Sequence, residues 1–381
     1  MPIHILLTVN AAWNIWNFRR PVVQALLKDG HRITVLAPPD DSVADLQRMG
    51  CRFLPLEMSA KGLNPLEGVK LYSRFKDVFR AEQPDIVLSY TIKNNIFGAM
   101  AAKSTGVPFV PNVTGLGTAF LSGGLLQIVA EGLYRCAFAK LPTVFFQNED
   151  DRSLFISRRL IKGYQTRLLP GSGIDLEHFA PLPSPSGHRA PVFLMISRLL
   201  RDKGVLEFVK AARLVKAHMP EVRFQLLGAL NAENRSAIDA ATLQAWVDAG
   251  HVEYLGTTDD VRPYITRATC VVLPSYREGA PRTLIEAAAM ARPTITTDVP
   301  GCRSVIEAGV TGLLCKPKDA GSLAKACERF LLLPPAAKTA MGAAGRRRME
   351  ELYDQSIIVA QYRAAITEAL TSSNPKLTAY S

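Results

Sequence analysis

The chain predicts an α/β protein built of two Rossmann-like domains, each a parallel sheet wound with helices. Three observations lead there. Short apolar runs alternate with helical patterns from the first residues onward. The alternation stops in a segment dense in breakers, Leu182-Pro-Ser-Pro-Ser-Gly-His-Arg-Ala-Pro191, and then restarts with a new apolar run. Finally, the length of 381 residues exceeds what one core holds, since single cores seldom grow beyond about 250 to 300 residues.

In the first half, strands are expected over residues 3–9, 32–36, 86–89 and 109–111, with a helix over 20–28. In the second half the order is strand 192–197, helix 205–217, strand 223–227, helix 234–248 and strand 252–254. A valine-rich strand over 269–274, a helix over 283–291 and a strand over 294–297 follow as one βαβ unit. Apolar residues at helical spacing over 354–370 predict a terminal helix, with a tail from Thr371 onward. The expected domains are therefore 1–182 and 191–353, with 354–381 as terminal helix and tail.

Hydrophobic residues make up 48% of the chain and charged residues 21%, a globular balance that excludes disordered and collagen-like classes. The longest apolar stretches, such as 142–146 and 192–196, are strand-sized, so no membrane span is expected. Met1-Pro-Ile-His-Ile-Leu-Leu-Thr-Val reads as a first strand rather than a secretory leader, which predicts a cytoplasmic protein. Cys51, Cys136, Cys270, Cys302, Cys315 and Cys327 lack close pairs or metal-ligand spacing and read as reduced, mostly packed thiols. Dispersed histidines and the lack of a DxD motif predict no metal site. The net charge of +11 and pI of about 9.4 favour polyanionic partners, either nucleic acid or an anionic membrane surface. Lys and Arg are spread along the chain without a recognition-helix, zinc-finger or RNP pattern, which argues against nucleic acid.

The densest functional signal is Ser275-Tyr-Arg-Glu278-Gly-Ala-Pro-Arg-Thr-Leu-Ile-Glu286. Pro274 and Gly279 break the preceding strand and Pro281 sits where a helix begins, so Glu278 falls on a loop and Glu286 in the helix. Amides of Arg282, Thr283 and Leu284 at that helix start suit a diphosphate, and Gly279 lets backbone come close. A bare pair of glutamates would be a solvated loop carboxylate and an ordinary helix residue. The βαβ context reverses that, because ligands of such sheets bind beyond the carboxyl ends of the strands, where Glu278 and Gly301 would lie. Arg198 and Lys203 bracket the end of the first strand of this half, either as ligand-binding cations or as surface charges.

The segments Glu278-Gly-Ala-Pro-Arg, Glu286-Ala-Ala-Ala-Met, Pro300-Gly-Cys-Arg and Thr311-Gly-Leu-Leu resemble the donor half of family 4 glycosyltransferases, retaining enzymes of the GT-B fold. More narrowly, the chain is similar to the bacterial branch that adds an N-acetylhexosamine or related sugar to an undecaprenyl-diphosphate-linked acceptor. The resemblance implies two facing domains with the terminal helix crossing back onto the first. It also implies a metal-independent hexosyltransferase in polysaccharide biosynthesis, with a UDP-sugar donor, a lipid-linked diphosphate saccharide acceptor and no cofactor. Glu278, Arg198 and Lys203 form the implied catalytic set: the two cations offset charge on the departing diphosphate and Glu278 meets the sugar hydroxyls. Glu286 would take the ribose, and the backbone of Gly279, Ala280, Arg282, Thr283 and Leu284 would cradle phosphate. Gly228 and Gly256 end other strands near the place for the base, while Asp259 and Asp260 suit a helix cap near Val261. Whether retention proceeds through same-face attack or a nucleophile stays open.

For the acceptor, the stretch from Asn10 to Arg20 reads as a loop ending strand one, and its Asn-Phe-Arg agrees with the lipid-linked-acceptor branch, which marks Asn14 and Arg19. The glycine pair many relatives carry there is absent. Trp13 and Trp16 are either core anchors or an interfacial patch. The segments Thr91-Ile-Lys-Asn-Asn-Ile-Phe-Gly98 and Val113-Thr-Gly-Leu-Gly117 resemble two further signatures and mark Lys93, Thr114 and Gly115. Lys93 either meets an acceptor phosphate or is solvated. No histidine stands near Thr114, where many members place one. Phe145-Phe-Gln-Asn148-Glu-Asp-Asp151 completes the match with Asn148, while Asp150 and Asp151 read as caps of a helix from Arg152. The basic stretch 152–162 suits peripheral contact with an anionic membrane, or solubility alone, which places the protein at the inner face of the cell membrane. Two other readings are a UDP-sugar epimerase of the same fold, for which no acid and base pair is evident, and a noncatalytic polyanion-binding protein.

Overall fold

The computed structural model describes residues 2–58, 65–116, 124–182, 190–230 and 236–373. The chain divides into two compact units, Met1–Gly173 with Gln355–Ser381, and Ile174–Asp354. Within the described residues, the first unit holds β1 His4–Thr8, β2 Arg32–Ala37, β3 Arg52–Pro55, β4 Ile86–Tyr90, β5 Phe109–Val113, β6 Val144–Phe146 and β7 Thr166–Leu168. They form one parallel sheet in the order β3-β2-β1-β4-β5-β6-β7. The second unit holds β8 Val192–Ile196, β9 Arg223–Leu227, β10 Glu253–Tyr254, β11 Cys270–Leu273, β12 Thr294–Thr297 and β13 Gly312–Cys315, parallel in the order β10-β9-β8-β11-β12-β13.

Both sheets are covered on both faces, which is why their strands read as apolar runs rather than alternating ones. Ile5, Leu7, Ile86 and Leu88 face one core with the helices Arg20–Lys28 and Gln355–Ser373, whereas Leu6 and Val87 face the other. In the second unit Phe193 and Met195 pack with the helices Val205–Lys216 and Ala320–Leu331, and Leu194 packs with Arg282–Ala289 on the opposite face. In each sheet the winding reverses beside the first strand, between β1 and β4 and between β8 and β11. Such a switch point opens a crevice at the strand carboxyl ends.

Several expectations are corrected. The units part at Gly173 and Ile174 rather than over 182–191, because residues 174–182 are tied into the second unit. The amide of Ile174 donates to the Tyr353 carbonyl, and Arg346 donates to the carbonyls of Leu176 and Phe179. Most of the breaker-rich segment, residues 183–189, lies outside the described residues, as does Gly117. The helix expected over 234–248 spans Ala240–Asp248, capped by Asp239, whose side chain accepts from the Thr242 amide at 2.7 Å. The stretch after β1 is a helix, Ala12–Phe18, not a loop. Ala12 and Ile15 bury at i, i+3, a helical signal that the surrounding Asn and Trp residues hide. Trp16 packs against the core with Arg20 stacked on it at 5.0 Å, while Trp13 is 51% exposed. The helix after β6 is Glu149–Ser157, and its N-cap is Asn148, not Asp150 or Asp151. Consequently 152–162 is not a continuous helix face: Arg152 pairs with Glu149 and Arg158 with Glu131. No helix among the described residues is long and apolar enough to cross a membrane.

Candidate functional site

In the second unit the loops after β8, β11 and β12 meet at the switch point. The β8 loop runs through a short turn, Arg201–Lys203, and Gly204 with φ 79°. A Cβ there would lie 2.1 Å from the Pro274 carbonyl oxygen at the end of β11, so only glycine permits this approach. The Tyr276 amide donates to the Asp202 carbonyl at 2.9 Å, which stitches the two loops. Gly301, after β12, closes the group: its φ is 79° and a Cβ would stand 2.2 Å from the Glu278 carbonyl oxygen.

This packing brings Lys203 and Glu278 together although 75 positions separate them in sequence. The Lys203 ammonium donates to Glu278 Oε1 at 2.5 Å, and Ser275 Oγ donates to the same oxygen at 2.7 Å. Both side chains keep part of their surface open, 24% for Lys203 and 13% for Glu278. Arg198 is exposed at the end of β8, with no side-chain hydrogen bond or ion pair among the described residues. Glu278 is thus on the loop and Glu286 inside the helix Arg282–Ala289.

Glu286 is 8% exposed and accepts from Arg282 Nε at 2.6 Å. Burial pushes its carboxyl above the ordinary range, and the Arg282 guanidinium only partly opposes this. Thr283 Oγ1 donates to the Ile196 carbonyl at 3.0 Å, so the first turn of this helix is pinned to the end of β8. Of the three amides expected to face a phosphate, that of Leu284 already donates to the Pro281 carbonyl at 3.1 Å. Gly279 and Ala280 stay half-buried beside Glu278. At the far side, the Gly228 amide donates to the Gly256 carbonyl at 2.8 Å, and a Gly228 Cβ would meet the Ser197 carbonyl oxygen at 1.9 Å. Asp260 accepts through Oδ1 from the Arg262 amide and Nε, but the N-cap of the helix Arg262–Arg267 is Val261 and no side chain caps it, so the cap expected from Asp259 or Asp260 is not formed.

Sequence reasoning missed Tyr276. Its hydroxyl donates to Glu207 at 2.9 Å and Lys318 stands over its ring at 4.9 Å, which anchors the Glu278 loop to the helix Val205–Lys216. An aromatic between two loop polar residues is the only sequence signal it leaves.

The first unit's candidates are more dispersed. Asn148 is buried, accepts from the Asp151 amide at 2.8 Å and donates to the Asp151 carboxylate at 3.1 Å, which is helix capping. Asn14 donates to Asn10 on its own helix start. In the Thr91 to Gly98 segment the asparagines turn inward: Asn94 donates to Thr8 Oγ1 and Asn95 to the Asn112 carbonyl, both at 2.8 Å. Lys93 is half-buried; burial depresses its ammonium pKa and Glu67 opposes the shift. Thr114 and Gly115 follow β5 and are half-buried. Arg19 is 4% exposed, stacks on Tyr90 at 4.6 Å and leaves Nη1 buried without a hydrogen bond. A cleft of about 600 Å³ in this unit, lined by Pro38, Leu56, Met58 and Glu67 among others, contains none of the predicted site residues.

Comparison with known proteins gives the family and the fold. Residues 190–332 match the family described as glycosyl transferases group 1, and residues 4–148 match the glycosyl transferase 4-like family. The chain is 30% identical over 370 residues, 93% of its length and 95% of the relative's, to the N,N'-diacetylbacillosaminyl-diphospho-undecaprenol alpha-1,3-N-acetylgalactosaminyltransferase of Campylobacter jejuni. It is 25% identical, over 73% of its length and 72% of the relative's, to an Escherichia coli UDP-Gal:alpha-D-GlcNAc-diphosphoundecaprenol alpha-1,3-galactosyltransferase. Among solved structures, Anabaena HepE in complex with UDP and glucose superposes with a TM-score of 0.78 at 18% identity, covering 96% of this chain and 99% of that one. Two switch-point sheets, matches to both halves of one enzyme type and a relative aligned along nearly the whole length lead to one assignment: the chain belongs to the family 4 glycosyltransferases of the GT-B fold.

Proposed function

We propose that this glycosyltransferase moves a sugar, an N-acetylhexosamine or a related one, from a UDP-sugar to an undecaprenyl-diphosphate-linked saccharide in bacterial surface polysaccharide or glycan assembly. The observation that carries the donor half is the Lys203, Glu278 and Ser275 cluster at the β8 and β11 carboxyl ends, with Glu286 one helix turn behind its loop. The acceptor half is supported by what the Campylobacter and Escherichia relatives are named for. Membership in the family favours transfer over epimerisation or noncatalytic polyanion binding.

In this reading Lys203 and Arg198 meet the diphosphate, and Glu278 exchanges its ammonium partner for the donor sugar's hydroxyls. Glu286 receives the ribose. As the bond from the anomeric carbon to the β-phosphate oxygen breaks, charge grows on the diphosphate, and fixed cations at a strand end stabilise it without a metal. The acceptor hydroxyl attacks from the same face, its proton passes to the departing phosphate oxygen, and configuration is retained. Asn14, Arg19, Lys93, Thr114, Gly115 and Asn148 belong to the acceptor side, Asn148 by holding the helix Glu149–Ser157 in place. The enzyme works at the inner face of the cell membrane, in peripheral contact with it.

The test is a panel of UDP-sugars offered with a prenyl-diphosphate-linked saccharide, read by mass spectrometry. One donor should add a single sugar mass to the acceptor, with metal chelators present. Free UDP release without acceptor extension for every pair would overturn the acceptor assignment, and no UDP release at all would overturn the donor assignment.

A further inference from the structure

Tyr254 and Tyr264 pack against the hydrophobic clusters of the second unit, whereas Tyr276 belongs to none of these clusters among the described residues. Its contacts are polar and come from three directions. The amide donates to the Asp202 carbonyl at 2.9 Å, beside Lys203. The hydroxyl donates to Glu207 Oε1 at 2.9 Å on the helix Val205–Lys216, and the Lys318 ammonium lies 4.9 Å from the ring centre. Two of these arrangements cost stability. Lys318, which follows β13, holds φ at 57°, a left-handed value uncommon outside glycine, and Glu207 Oε2 is buried without a hydrogen bond among the described residues. A residue that served packing alone would need neither. Burial, with the Glu207 bond adding to it, pushes the pKa of the Tyr276 hydroxyl up to about 12, so the group remains a donor at neutral pH.

We propose that Tyr276 is a positioning residue for sugar transfer, which keeps the Glu278 carboxylate in place when Lys203 leaves it. This rests on the reading under Proposed function, in which Lys203 turns to the diphosphate and Glu278 to the donor sugar. The bond between Lys203 and Glu278 links the loops after β8 and β11, and that exchange of partners removes the link just when the geometry matters. Glu278 is then held by Ser275 Oγ, by its own amide on the Pro300 carbonyl at 3.2 Å, and by Tyr276 two positions before it. Of these three, Tyr276 is the one that reaches the β8 loop and the helix after it. A misplacement of about 1 Å can cost roughly 10²-fold in rate, so the loss of such a tie is read in kcat.

The experiment measures transfer and UDP affinity in Tyr276→Phe, which loses the hydroxyl and keeps the ring. With the donor that wild type uses, kcat should fall about tenfold while the Kd for UDP stays within about twofold. Glu207→Leu should show the same loss, and Glu207→Gln, which still offers an oxygen to the hydroxyl, should recover most of it. In a Glu278→Ala background Tyr276→Phe should change kcat by less than about twofold, because the hydroxyl acts through Glu278. An unchanged kcat in Tyr276→Phe, or a loss that persists in full without Glu278, overturns the proposal. A weaker Kd for UDP at unchanged kcat would make Tyr276 part of the nucleotide site and overturns it as well. If wild type releases UDP from its donor but extends no acceptor, the acceptor half of the proposed function fails, and the same tenfold loss is read in UDP release. If it releases none, the donor reading and this proposal fall together.

Discussion

The two units carry the same sheet architecture, yet they treat their polar residues differently. At the β8 and β11 ends, glycines bring three loops into contact and the charged side chains end up beside one another with part of their surface open. At the β1 and β4 ends, the asparagines are consumed in linking strands, Asn148 caps a helix, and Arg19 is buried. A site that receives a nucleotide diphosphate can be built from fixed backbone and a few charges, because that ligand portion does not vary. The polar residues at the first unit's strand ends serve chiefly to join strands and to cap a helix.

The largest test of that asymmetry compares two lysines. Lys203→Ala should lower kcat/KM for transfer by about 10²- to 10³-fold, the scale seen when one stabilising group for developing charge is removed. It should leave the circular dichroism spectrum unchanged, since the pair Lys203 and Glu278 is partly exposed. Lys93→Ala should cost about tenfold or less, expressed in the KM for acceptor and not for UDP-sugar. Equal losses from the two substitutions would mean that the first unit holds an equally fixed charge site, and the contrast would fall.

Backbone approach gives the next test. Gly301→Ala places a methyl group against the Glu278 carbonyl at a positive φ and should destabilise the fold by roughly 3 kcal/mol or more. Gly115→Ala has no heavy atom within 4 Å of its new Cβ and should cost only about 1 kcal/mol, from backbone conformation alone. Urea unfolding of both variants measures the difference. A Gly301→Ala variant as stable as wild type would show that the three loops do not have to pack this closely.

These contrasts also explain what could be read in advance. The helix Arg20–Lys28 and the strands Arg223–Leu227 and Thr294–Thr297 fall where apolar runs and breakers put them, because buried parallel strands leave a strong local pattern. The positions of Glu278 on a loop and Glu286 in a helix follow from Gly279 and Pro281. The contact of Lys203 with Glu278 did not follow, since no local rule joins residues from different strand ends; only the spacing of a resemblance hinted at it. Around Asn10 to Arg20, polar residues interleaved with tryptophan concealed a helix whose buried positions are just Ala12 and Ile15. The inward turn of Asn94 and Asn95 was equally hidden, because an asparagine bonding to a strand and one bonding to a ligand look alike in sequence.

The smallest effect concerns the burial of Glu286, where site and stability oppose each other. Burial raises its carboxyl pKa in the folded protein, so the native state keeps a proton that the unfolded chain has already released. Bound protons then favour the folded state, and stability declines as pH rises from the ordinary value of 4.5 through the raised one. Glu286→Gln removes this titration. The variant should match wild type in melting temperature at pH below the ordinary carboxylate range and exceed it at neutral pH, while binding UDP more weakly because a neutral amide replaces the charged acceptor offered to the ribose hydroxyls. Melting curves across pH, with and without UDP, separate the two effects. A variant less stable than wild type at neutral pH would show that the hydrogen bond from Arg282 outweighs desolvation. Glu286 would then be a support of the helix, as Asn148 is in the first unit, and the contrast between the two units would narrow.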